Sequence, residues 1–117
     1  MKIRVQSIHF DADQKLLNFI RKRVDKLDHF FDQIINGEVY LKLENSGDEV
    51  NKIVEIKLLI PGSQLFAKER CKSFEEATDK SIESLRRQVS KHKTKYQSYL
   101  SNHKEALLNT GFIQASN

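Results

Sequence analysis

Val54-Glu55-Ile56-Lys57-Leu58-Leu59-Ile60-Pro61-Gly62-Ser63-Gln64-Leu65-Phe66-Ala67-Lys68 commits this chain to a β-sheet with one buried face. Val54, Ile56, Leu58 and Ile60 alternate with Glu55, Lys57 and Leu59, the two-residue period of a strand. Leu65 and Ala67 alternate with Phe66 and Lys68 in the same way. Between the two runs, Pro61-Gly62 suits the central positions of a type II turn, where proline presets φ and glycine takes a positive one. The stretch therefore predicts an antiparallel hairpin.

Upstream, Asn45-Ser46-Gly47-Asp48 is a turn cluster, preceded by Val39, Leu41 and Leu43 alternating with Tyr40 and Lys42. This is another strand, with Gly37 expected to break the chain before it. Further back, Leu16, Ile20, Val24, Leu27 and Phe31 mark one face of a helix from about Ala12 to His29. Asp11 is placed to cap it, with Gln14 three residues on in capping-box spacing. Ile3 and Val5 alternate with Lys2, Arg4 and Gln6 in an opening strand; Ile8 and Phe10 shift the phase, so it bulges or ends near Ser7.

Downstream, Ser73 and Glu76 form a capping box. Phe74, Thr78, Ser81, Ile82, Leu85, Val89, His92 and Tyr96 then mark one face of a long helix. The order is β-α-β-β-β-α. A strand, helix and strand in one sheet imply a right-handed parallel crossover. The expected architecture is α+β: a four-stranded mixed sheet with two parallel helices packed on one face. Residues 1–100 are expected to form one domain and 101–117 a C-terminal tail, since periodicity fades after about Leu100.

The length of 117 residues fits one domain, and 38% hydrophobic residues supply one modest core. Mean hydropathy is -0.58. No apolar run approaches the roughly 18 residues of a membrane span, and the chain opens directly into a strand pattern. The expectation is a cytoplasmic protein with no membrane segment. Cys71 is the single cysteine, which excludes an intrachain disulfide and a cysteine-based metal site. His9, His29, His92 and His103 share no ligand spacing. No glycine-rich phosphate loop, nucleophile elbow or apolar carboxylate pair is present. The reading is a non-enzyme with no cofactor, metal or small-molecule substrate.

Charge patterning points elsewhere. The net charge is only +4, but residues 86–104 hold six lysines and arginines and no acid. At about 100° per residue, Lys80, Ser84, Arg87, Lys91 and Lys95 fall within about 80° of one another, opposite the apolar face. That is a basic stripe roughly 22 Å long, suited to a phosphate backbone. On the first helix, Lys15, Lys22 and Lys26 flank its apolar face, with Phe19 among them and Arg23 at the edge. Parallel helices turn both flanks the same way, which predicts a two-helix basic platform with one stripe lining the groove between the helices. Phe19, Tyr40 and Phe66 are candidate exposed aromatics for base stacking.

The order of elements and two local runs resemble the ribosome hibernation-promoting factors, related to the ribosome-associated inhibitor A and the sigma-54 modulation proteins. One run is Ser73-Phe74-Glu75-Glu76-Ala77 leading through Ile82, Leu85 and Arg87-Gln88 to Lys91-His92-Lys93-Thr94-Lys95; the other is Leu27-Asp28-His29-Phe30-Phe31-Asp32-Gln33-Ile34. The resemblance covers roughly residues 1–96. It implies a fold like double-stranded RNA-binding domains, and binding to the small ribosomal subunit, on 16S rRNA in the A- and P-site channel of tRNA and mRNA. It also implies RNA-binding roles for Arg87, Lys91, Lys93 and Lys95 on the second helix and for Arg23 and Lys26 on the first; Lys22 and Arg86 lie where relatives vary. Long members carry a further domain that joins two ribosomes. A chain of this length has no room for one, so it would need a separate ribosome-dimerising factor or would hold single ribosomes inactive. The rival readings are a sigma-factor-modulating protein-binding domain and a general double-stranded RNA binder.

Overall fold

The computed structural model describes residues 1–47 and 49–109, and the side chains of 1–45, 47 and 51–93. The elements in chain order are β1 (Lys2–Ser7), α1 (Gln14–Asp25), α2 (Leu27–Phe30), β2 (Asn36–Ser46), β3 (Glu49–Ile60), β4 (Ser63–Cys71) and α3 (Phe74–Asn109). The sheet order is β1-β2-β3-β4. β1 pairs with β2 in parallel, Val5 opposite Val39, whereas β2–β3 and β3–β4 are antiparallel. The expected α+β architecture is therefore found. Because α1 and α3 each return from a strand running the same way, the two helices run parallel to each other.

The alternation seen in the sequence sorts the sheet into two sides. Val39, Leu41, Val54, Ile56, Leu58, Ile60, Leu65, Ala67 and Cys71 are buried under the helices. Ile20 and Val24 of α1, Leu27 of α2, and Ala77, Thr78, Ser81 and Leu85 of α3 cover them. Small side chains at 77, 78 and 81 let α3 lie close to the sheet. On the opposite side, Phe66 is 46% exposed. Ile60 pairs with Ser63 across the Pro61-Gly62 turn, and Gly62 has φ 75°, as a type II turn requires.

Four expectations need correction. The cap of α1 is Asp13, whose side chain accepts a hydrogen bond from the Lys15 N–H, and not Asp11, which lies too far ahead of the first turn. The first helix is broken at Lys26 into α1 and the single turn α2. Gly37 does not stop the chain but lies inside β2. A Cβ there would sit 3.2 Å from Leu58 Cδ2, tighter than ordinary contact, and 3.9 Å from Val24 Cγ1, an ordinary one, so glycine leaves room for the Leu58 side chain of the neighbouring strand. Finally, residues 101–109, expected as tail, continue α3. Lys104, Glu105, Ala106, Leu107 and Leu108 are good helix formers, and the next glycine is Gly111. The tail's remaining positions, 110–117, lie outside the described residues. The chain divides into a compact unit Met1–Arg87 and a second unit that begins at Gln88.

Candidate nucleic-acid interface

The first unit holds a hollow of about 470 Å³ walled by α1, α2 and α3. Leu27 and Ile82 supply apolar lining, and Arg23, Lys26, His29 and Arg86 bring nitrogen-bearing side chains to it. Two arginine–phenylalanine contacts organise the walls. The Arg86 guanidinium of α3 lies 5.1 Å from the centre of the Phe30 ring of α2, and that of Arg23 lies 4.9 Å from the centre of Phe19 within α1. Such contacts contribute about 0.5–1 kcal/mol at exposed sites, enough to favour one rotamer of a long side chain. Asp79 of α3 also lines the hollow, 3.6 Å from Arg23 across the two helices. Both side chains are about half exposed, so the pair orients Arg23 more than it stabilises the fold.

The structure thus brings Arg23, Lys26 and Arg86 together. Lys22 is exposed but borders a different depression, with Met1, Ile3, Arg21 and Asp25. Near that side the Met1 amine is 2.6 Å from the Asp28 carboxylate, and this hydrogen bond raises the pKa of the amine. Arg87 does not line the hollow; of the two expected stripes, it is the first-helix flank, through Arg23 and Lys26, that does. Arg87 is exposed and pairs with Glu83 at 3.4 Å. The α3 wall is made instead by Asp79, Ile82 and Arg86, spaced i, i+3 and i+7 on the neighbouring flank of that helix. In the second unit Lys91 is exposed and Lys93 half-buried, while the Lys95 side chain lies outside the described residues.

Sequence reasoning missed Phe30, Asp79 and Ile82. The i, i+3, i+7 row was available as a signal, but Asp79 hid it by interrupting the basic pattern. Phe30 was masked by Phe31, its buried neighbour in the core. Of the candidate stacking aromatics, Phe66 is exposed on the open sheet side, Phe19 is held under Arg23, and Tyr40 donates a 2.7 Å hydrogen bond to the Glu38 carboxylate. That bond, with a smaller contribution from burial, raises the pKa of the Tyr40 phenol. Among the described residues no cluster of three or more histidine, cysteine, aspartate or glutamate side chains is placed to hold a metal ion. No helix of the described residues is long and apolar enough to cross a membrane.

Known proteins carry the same fold and sequence pattern. The structure is similar to a ribosomal subunit interface protein from Coxiella burnetii, with a TM-score of 0.72 and 22% identity over 80% of this chain and 99% of that one. The N-terminal domain of Thermus thermophilus Protein Y gives a TM-score of 0.67 at 22% identity, over 79% of this chain and 99% of that one. In sequence, the chain is 30% identical over 100 residues to a ribosome hibernation promoting factor of Pseudomonas putida, spanning 86% of this chain and 94% of that protein. Residues 3–97 match the family described as sigma 54 modulation protein / S30EA ribosomal protein, and the chain belongs to that family.

Proposed function

We propose that this protein is a non-enzymatic, cytoplasmic translation regulator that silences idle ribosomes in stationary phase and stress. It binds the small ribosomal subunit on 16S rRNA in the tRNA and mRNA channel and excludes both. Lys22, Arg23, Lys26, Arg86, Arg87, Lys91, Lys93 and Lys95 are its RNA-binding residues, with residues 1–100 as the ribosome-binding domain. The observation that carries this reading is the convergence of Arg23, Lys26 and Arg86 on one hollow from separate helices. Arginine and lysine side chains fixed on rigid helices neutralise phosphates, and shape supplies selectivity where bases are not read. The family membership and the ribosomal names of its relatives support the choice of partner.

Sucrose-gradient sedimentation of a stationary-phase lysate tests the proposal. The protein should travel with small subunits and intact ribosomes and leave them as salt rises. Each phosphate contact should add about -0.7 to -0.9 to the slope of log affinity against log salt. In a translation reaction, excess mRNA and charged tRNA should compete the protein off. Protein that stays at the top of the gradient, or binds with no salt dependence, refutes the RNA-binding reading.

A further inference from the structure

We propose that the hollow between α1, α2 and α3 takes one unstacked nucleobase of single-stranded RNA, with guanine preferred. This rests on the RNA-binding reading above and gives that surface a base-reading function beyond phosphate neutralisation.

Three observations carry it. First, the cleft offers apolar wall as well as charge, which phosphate binding alone does not need. Its volume of about 470 Å³ lies within the roughly 300–1,000 Å³ of small-molecule clefts, and Leu27 and Ile82 line it. Phosphate needs cations at a surface, whereas a base needs an apolar wall and a flat partner. Second, the flat partner is already assembled. The Arg86 guanidinium is held 5.1 Å from the Phe30 ring centre at the border of the cleft. Unstacked bases pack on aromatic rings and on arginine planes. Third, Asp79 is the one acid among the residues lining the cleft. A carboxylate beside Arg23, Lys26 and Arg86 weakens a site built only for a polyanion. It is useful where a ligand also presents hydrogen-bond donors, because an ionised carboxylate only accepts. Guanine offers two adjacent donors on its Watson–Crick edge, N1–H and N2–H, which match the two oxygens of one carboxylate. Adenine, cytosine and uracil each place a single donor group on that edge. The base would stack at Arg86 and Phe30, its edge would meet Asp79, and the flanking phosphates would meet Lys26 and Arg23.

The test uses the full chain and labelled pentaribonucleotides, UUGUU, UUAUU, UUCUU and UUUUU, with a fifth probe abasic at the centre. Fluorescence anisotropy at fixed salt reads the affinities. UUGUU should bind best, and the abasic probe about tenfold more weakly, the scale of one lost base–aromatic stack. Asp79→Asn should reduce the ratio of guanine to adenine affinity to near one. Phe30→Leu should remove the difference between guanine and abasic probes, with its circular dichroism melt checking the fold; Arg86→Met provides a second variant at the same stack. Equal binding of UUGUU and the abasic probe overturns the base site. Salt-dependent co-sedimentation with ribosomes, measured in parallel, separates that failure from failure of the RNA-binding reading. A guanine preference that survives Asp79→Asn overturns the assigned role of that carboxylate.

Discussion

On the open side of the sheet, bases meet acids across strands: Lys42 Nζ lies 2.7 Å from Glu55 and Arg70 lies 2.8 Å from Glu44. On the helix side, Arg23, Lys26 and Arg86 share one hollow with Asp79 as its lining acid. The difference follows from geometry. In a sheet, neighbouring strands place side chains about 5 Å apart on a regular grid, so alternating signs neutralise locally. Two parallel helices leave a trough, and long side chains from both walls can point into the same space. Formal net charge therefore says little here: the open face also holds more bases than acids, but it spreads them over four strands, whereas the trough gathers its cations around one hollow.

Reversing charge on each side in turn should separate the two faces most strongly. Arg23→Glu with Lys26→Glu and Arg86→Glu should weaken ribosome co-sedimentation by on the order of 10³ or more, given about 1.5–3 kcal/mol per hydrogen bond to a charged group. Lys42→Glu with Arg70→Glu should change it less than about threefold, the effect of a screened, distant charge. Equal losses from both sets would mean that the sheet side also faces RNA.

Stability should divide along the same line. Leu85 is fully buried beneath α3, and Leu85→Ala should cost about 2–5 kcal/mol in urea unfolding. Phe66 is 46% exposed on the open side, and Phe66→Ala should cost about 1 kcal/mol or less. A larger loss at Phe66 than at Leu85 would invert the assignment of core and surface.

The smallest effect should come from the Lys42–Glu55 pair. Lys42 is about two-fifths exposed and Glu55 less so, and a double-mutant cycle should give a coupling of about 0.2–1 kcal/mol that shrinks with added salt. Coupling that persists in molar salt would show the open side to be better shielded from solvent than it looks.

Most of the fold was legible because strand alternation and turn chemistry are local. Val54 to Lys68, read without any partner, gives the hairpin that is found, and Ser73 does cap α3, accepting from the Glu76 N–H at 3.2 Å. Glu76 does not complete the box; its carboxylate turns to Lys80 at 3.5 Å. The misreadings sit where a distant contact decides. Gly37 reads as a breaker until Val24 and Leu58 are seen around it. Lys22 reads as a companion of Lys26, four residues on, yet the two border different depressions. Arg86 was legible as a basic residue, but its contact with Phe30 joins two elements 56 positions apart in the sequence, beyond any periodicity.

Gly37 also sets a tolerance. A Cβ there would press on Leu58 Cδ2 at 3.2 Å but meet Val24 Cγ1 at an ordinary 3.9 Å. The side chain that must yield to an extra methyl group is therefore Leu58 of β3, while α1 has the clearance to stay where it is. Arg23, beside Val24, keeps its height when position 37 gains a carbon, so the wall of the trough is insulated from a substitution in the sheet below it.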